Sequence, residues 1–235
     1  LKGDTVRYFK SVSFLVGLFA AFTSSAHAAQ PTITVAYNQS FDSVCSFFQG
    51  NAIKDEWKVE LASRQKEFEN LWKAAGPKLI ETTEQITKKP FPEKNFTARL
   101  TLCNLPSQSY FGIGINMRYA LKSFTTTPVP MSYKVNTLFH ELLHKYFAEN
   151  PIENSVLLKQ NASEPERTRN HLHLLALQKA VLLKLNETDL LKDQIAIDSQ
   201  LPDGYYKRAW EIVNATDTEY LKYVSEISAV GITSR

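Results

Sequence analysis

The period of the apolar positions changes several times along the chain, and each change marks an element. Thr32 to Tyr37 alternates with period two and predicts a short strand, and Ser43 to Phe48 can open a helix carrying Cys45. From Asp55 to about Ala75, Trp57, Leu61, Phe68, Leu71 and Trp72 recur at helical spacing among charges, which predicts an amphipathic helix stopped near Gly76-Pro77. A second helix is expected over Lys78 to Thr87, broken by Lys88-Lys89-Pro90-Phe91-Pro92. Alternation then returns in Phe96 to Leu102 and Phe111 to Met117, separated by Pro106, Ser107 and Ser109, and reads as a β-hairpin with a long loop. After Thr125 to Pro130 the pattern is helical over about Lys134 to Glu149, Glu164 to Leu185 and, with interruptions, Tyr205 to Ala229. No internal repeat or low-complexity tract interrupts it.

Residues 1–28 carry a different pattern, that of an export signal. Lys2, Arg7 and Lys10 precede an apolar run from Ser11 to Phe22, and Ala26-His27-Ala28 forms an A-x-A site predicting cleavage before Ala29. The run is too short for a bilayer core that needs about 20 residues. Without this segment the formal charge falls from +3 to +1, so the chain lacks the basic surplus of a nucleic-acid binder. The expectation is a periplasmic or secreted protein with residues 29–235 forming one domain, free of the membrane once the signal is cut. Cys45 and Cys103 are the two cysteines; in an oxidising compartment they invite a disulfide, against the alternative of two buried thiols.

The candidate chemistry lies in His140-Glu141-Leu142-Leu143-His144. Histidines four apart share one helix face, so both imidazoles can bind a single zinc ion. Glu141 projects from the next position round the helix, where it can take a proton from a water that attacks a carbonyl. Leu138, Leu142, Leu143, Tyr146 and Phe147 supply an apolar surface that buries such a helix.

With this motif preceded by an expected β-hairpin and followed by a second long helix, the chain resembles the zincin metallopeptidases over roughly residues 96 to 185. The resemblance implies one Zn²⁺, peptide-bond hydrolysis and an α+β, predominantly helical fold with a small antiparallel sheet or β-hairpin beside the active-site helix. The motif identifies no single zincin family.

A catalytic zinc needs a third protein ligand, and three residues compete for the position. His171 lies at the centre of the apolar face of its predicted helix, close in direction to Gln178 one heptad later, whereas His173 falls on the opposite side. Glu164 stands at the separation from His144 found in glutamate-ligand zincins, yet it lacks their Asn-Glu-x-x-x-Asp context, and Ser163 with Glu166 and Pro165 reads as a helix-start capping box. His171 is therefore favoured. Tyr110, Tyr146, Tyr205 and Tyr206 are all available to stabilise an oxyanion, and the sequence does not separate them. Gly112 and Gly114 suggest an edge strand able to pair with an extended peptide, or else a bulge or a helix-covered face.

The sequence thus predicts an exported zinc metallopeptidase acting on peptides or proteins, with Glu141 as general base and His140, His144 and His171 as metal ligands. The alternative is a catalytically inactive protein that keeps the zincin helix and binds zinc for structure or interaction, with a fourth ligand such as Glu164, Glu166 or Asp189.

Overall fold

A computed structural model describes residues 31–92, 95–110 and 112–229. The proposed signal segment, residues 1–28, lies outside the described residues, as does Phe111. The elements run β1 (Thr32–Tyr37), α1 (Gln39–Gln49), α2 (Asp55–Thr87), β2 (Asn95–Thr101), β3 (Ile113–Asn116), α3 (Met131–Glu149), α4 (Val156–Gln160), α5 (Glu166–Lys184), α6 (Thr188–Asp198), α7 (Tyr205–Val213) and α8 (Glu219–Ala229). Helix predominates. Among the described residues no helix is long and apolar enough to cross a membrane.

The sheet is three-stranded in the order β1-β2-β3, and it is parallel throughout. This corrects the expected antiparallel sheet or hairpin, and the reason lies just after β2. Asp42 of α1 accepts hydrogen bonds from the Thr101 hydroxyl and from Leu102 N (2.8 Å), and the next residue, Cys103, is joined to Cys45 of α1 by a disulfide. The chain is thereby tied to α1 instead of turning back along β2. It returns farther out: Gln108 exchanges both backbone hydrogen bonds with Gly114 (3.0 and 2.8 Å), antiparallel to β3 on its outer side. The Asn116 amide holds the loop in place by donating to the carbonyls of Cys103 (3.3 Å) and Leu105 (2.6 Å). The edge of β3 that the glycines suggested for a peptide is consequently taken at Gly114 by the protein's own backbone. Gly112, at φ +85°, makes the turn into β3, in the left-handed region that favours glycine.

Pro77 also acts differently from expectation. It does not end a helix; α2 runs on as a 33-residue helix with Pro77 inside it. Proline in a helix interior costs roughly 3 kcal/mol. Both halves of α2 recover more than that by burying Leu61, Phe68 and Trp72 on one side of the proline and Leu79, Ile80, Thr83 and Thr87 on the other. Gly76 is required by packing, since a Cβ there would collide with the Trp72 ring.

The helices assemble around α5, which packs against α2, α3, α6, α7 and α8. Its burial extends almost all round, from Thr168 and His171 through Leu172–Leu177 to Val181 and Leu182. A helix covered on every side belongs to the centre of a helical layer. On one flank α3 lies between α5 and β3. On the far side Glu226 of α8 accepts from the Ser155 hydroxyl (2.6 Å) and from the first-turn amides of α4, Val156 N (3.0 Å) and Leu157 N (3.1 Å).

Candidate metal centre

Helix α3 carries the motif into the core. Leu138, Phe139, Leu142 and Leu143 are fully buried and fix its rotation, which turns His140 and Glu141 inward and leaves His144 half-buried at the mouth. Helix α5 brings His171 opposite. The His140 and His144 Nε2 atoms are 3.1 Å apart, the His140 and His171 rings stack at 5.4 Å, and the His144 and His171 rings meet edge-on at 5.0 Å. One ring nitrogen from each of the three lies within 4.8 Å of the others, so the group can hold a metal ion.

Two outer contacts determine which nitrogens face inward. The Arg167 carbonyl lies 2.7 Å from His171 Nδ1, and a carbonyl can only accept, so Nδ1 carries the proton and Nε2 is bare. Gln178 Oε1, at 3.2 Å, does the same for His140 Nδ1. Burial, and after it the neighbouring imidazoles, holds the His140 ring well below the usual histidine range. Burial and His171 push His144 down to about 3, and burial dominates in lowering His171. The result is three neutral imidazoles, with the His140 and His171 Nε2 lone pairs left free of the outer contacts. Two nitrogens sharing a tetrahedral metal at 2.0–2.1 Å stand roughly 3.3 Å apart, close to the His140–His144 spacing, so the three residues can hold a metal ion.

Two further groups lie close by, Glu141 near enough to Tyr205 and Tyr206 to act on both phenols. Burial pushes the Glu141 carboxyl up to about 8, with the Ser109 hydroxyl pulling the other way. The Tyr206 hydroxyl, from α7, is 3.2 Å from His140 Nε2. Burial above all, with Tyr205 and Glu141 beside it, raises the Tyr206 phenol well above its usual range and keeps it an O–H donor. Tyr205 covers the outer side, its ring 5.3 Å from His171 and 4.4 Å from Tyr206.

The rivals for the third ligand lie elsewhere. His173 does point away from His171, but α8 covers that side too, and its Nε2 is 2.8 Å from Glu226 Oε2 with Tyr223 against its ring. Glu164 is held by Arg208 through contacts of 2.6, 3.1 and 3.2 Å, away from the histidines. The expected capping box is not made: α5 begins at Glu166, and its cap, Pro165, has no side-chain hydrogen bond. Of the four tyrosines, Tyr110 is 88% exposed, Tyr146 is buried against Phe91 and Phe147, and the pair on α7 reaches the site. Sequence reasoning missed the Ser109 contact, which no local pattern signals, and the role of Gln178, whose place on the His171 face was the available clue.

Comparison with known protein families, characterised proteins and solved structures finds no match to this chain.

Proposed function

We propose that the chain is an exported zinc metallopeptidase of the zincin kind, hydrolysing peptide bonds at the three-histidine centre. The observation that carries this reading is the grouping of three imidazoles that can hold a metal ion, with a phenolic O–H on one of them and the buried Glu141 carboxyl next to it in the chain. His140, His144 and His171 would hold zinc, which when bound supplies Lewis acidity that polarises the scissile carbonyl and acidifies water. Glu141 takes the proton of the attacking water and hands it to the leaving amine. Its raised pKa in an apolar setting suits a group that must both accept and release a proton near neutrality. Tyr206 donates to the oxyanion as charge develops, and Tyr205 limits water on the outer side. Gln178 and the Arg167 carbonyl hold two of the rings in the metal-binding tautomer. The Cys45–Cys103 disulfide accords with an oxidising compartment.

An inactive structural zinc protein would need a fourth protein ligand. Glu164 is engaged by Arg208, Glu166 is exposed, and Asp189 pairs with Lys192, so none of the three acids is available at the centre. Hydrolysis of a mixed peptide library by zinc-loaded and chelated protein tests the reading. Zinc-dependent cleavage is expected, with kcat about 10²–10³-fold lower in Tyr206→Phe at unchanged zinc content. A zinc-loaded protein that cuts none of the peptides would refute it.

A further inference from the structure

Asn136 of α3 and Gln178 of α5 are fully buried, and each keeps one side-chain atom without a hydrogen-bond partner among the described residues: Asn136 Oδ1, an acceptor, and Gln178 Nε2, a donor. We infer that a buried water joins these two atoms and completes a relay of amides from Asp198 to His140, which makes Asn136 and Gln194 positioning residues for that histidine. This rests on His140 being a metal ligand, and not on the reaction the metal serves.

The order of donors and acceptors follows from each end of the relay. The Asp198 carboxylate accepts, so Gln194 meets it with Nε2 (2.8 and 2.9 Å) and turns Oε1 towards Asn136. Asn136 must then donate from Nδ2 to that oxygen (2.9 Å), which leaves its Oδ1 over. At the other end, a ring that binds metal through Nε2 carries its proton on Nδ1 and gives it to Gln178 Oε1 (3.2 Å), which leaves Gln178 Nε2 over. Worked out from opposite ends, the two halves finish on an acceptor and a donor.

The helices bring those two ends towards one place. Asn136 and His140 are four residues apart on α3 and share a face. Helical side chains lean towards the N-terminus, so the His140 ring lies over the turn that holds Asn136. Gln178 contacts Nδ1, the ring nitrogen nearer the backbone and hence nearer that turn. Helices α3, α5 and α6 pack on one another in all three pairings, and Gln194 is buried with the other two amides. A water between Gln178 and Asn136 accepts from the first and donates to the second, which gives it the two or more polar partners that a buried water needs.

The relay matters for the metal because Gln178 touches His140 with one end of its amide, and an amide held at one end only can pivot. Through the water the other end is tied to Asn136, then to Gln194, and then to the carboxylate that also holds Tyr133 and Trp210. The Asp198 cluster thereby fixes the orientation of a ligand ring on the next turn of α3.

Two measurements test this, one of them without metal. In metal-free wild type, NMR should show cross-peaks from the Gln178 side-chain N–H protons to a long-lived water, and these should vanish in Asn136→Leu. Their absence from wild type overturns the proposal, and if Asn136→Leu does not fold this wild-type result decides alone. Zinc affinity is then measured by chelator competition in a double-mutant cycle. Asn136→Leu should weaken zinc about tenfold and Gln178→Leu by about 10–100-fold, and the double variant should bind no more weakly than Gln178→Leu. Unchanged zinc affinity in Asn136→Leu, or losses that multiply in the double variant, overturns the relay. The predicted cycle in a protein that cuts no peptide supports the relay and removes the peptidase. Peptide cleavage with zinc affinity indifferent to Asn136→Leu does the reverse.

Discussion

Helix α3 passes through two buried polar clusters that are built on opposite principles. Near its start, Asp198 of α6 accepts from the Tyr133 hydroxyl (3.0 Å), the Gln194 amide (2.8 and 2.9 Å) and the Trp210 indole (2.9 Å), with Asn136 donating to Gln194 (2.9 Å) and Lys134 buried alongside. One turn further on, His140, His144 and His171 bring one ring nitrogen each within 4.8 Å of the others. The first cluster gathers donors around one carboxylate and joins α3, α6 and α7. The second gathers imidazole nitrogens that can hold a metal ion. The Asp198 cluster also serves the histidine one, because it fixes α7, and with it Tyr206, against α3.

The largest expected effect comes from opening the closed cluster. Asp198→Ala strands the Tyr133, Gln194 and Trp210 donors and the buried Lys134, and should cost about 3–5 kcal/mol with or without metal. For a chain of this size that is roughly a 6–20 °C fall in melting temperature, read by calorimetry; a loss under 1 kcal/mol would show that the network is not the keystone described. The histidine cluster should behave in reverse. Zinc at a thousandfold over its Kd should add about 4 kcal/mol to wild type, and His171→Ala should lose that increment while leaving metal-free stability nearly unchanged.

Lys134 sharpens the contrast through pH. Burial lowers it to about 8 from an unfolded value of 10.5. Between those values the unfolded chain holds a proton that the native chain has released, so wild type should gain stability over Lys134→Met by about 1.4 kcal/mol per pH unit as pH rises from 8 to 10.5. Parallel urea-unfolding stabilities across that range would contradict this. The smallest effect concerns Gln178. Gln178→Leu should weaken zinc binding 10–100-fold, about 1.4–2.7 kcal/mol, with little change in global stability; competition with a chelating dye measures it.

The sequence showed the imidazoles more clearly than it showed the sheet, for a physical reason. His140, Glu141 and His144 are spaced within one helical turn, and His171 is legible because apolar periodicity gives the rotation of its own helix. The parallel register of β3 depends on Asp42 and Cys45 reaching Thr101, Leu102 and Cys103 across about 60 residues, and alternation alone is the same for parallel and antiparallel partners. Pro77 and Gly76 read as a stop because a single helix's propensities oppose them, while tertiary burial on both sides carries α2 through. The helix α6, with its Asp198, left no comparable mark. Its importance lies in partners 12 and 65 residues away, Trp210 and Tyr133.

The central claim is that the histidine centre holds a metal for hydrolysis with Glu141 as the base. The most direct test measures zinc content and peptide-library cleavage side by side for wild type and Glu141→Gln. One zinc per chain in both proteins, with cleavage by wild type and a loss of several orders of magnitude in the variant, is the predicted result. Zinc in both with no cleavage by either, or undiminished cleavage by Glu141→Gln, would contradict the account.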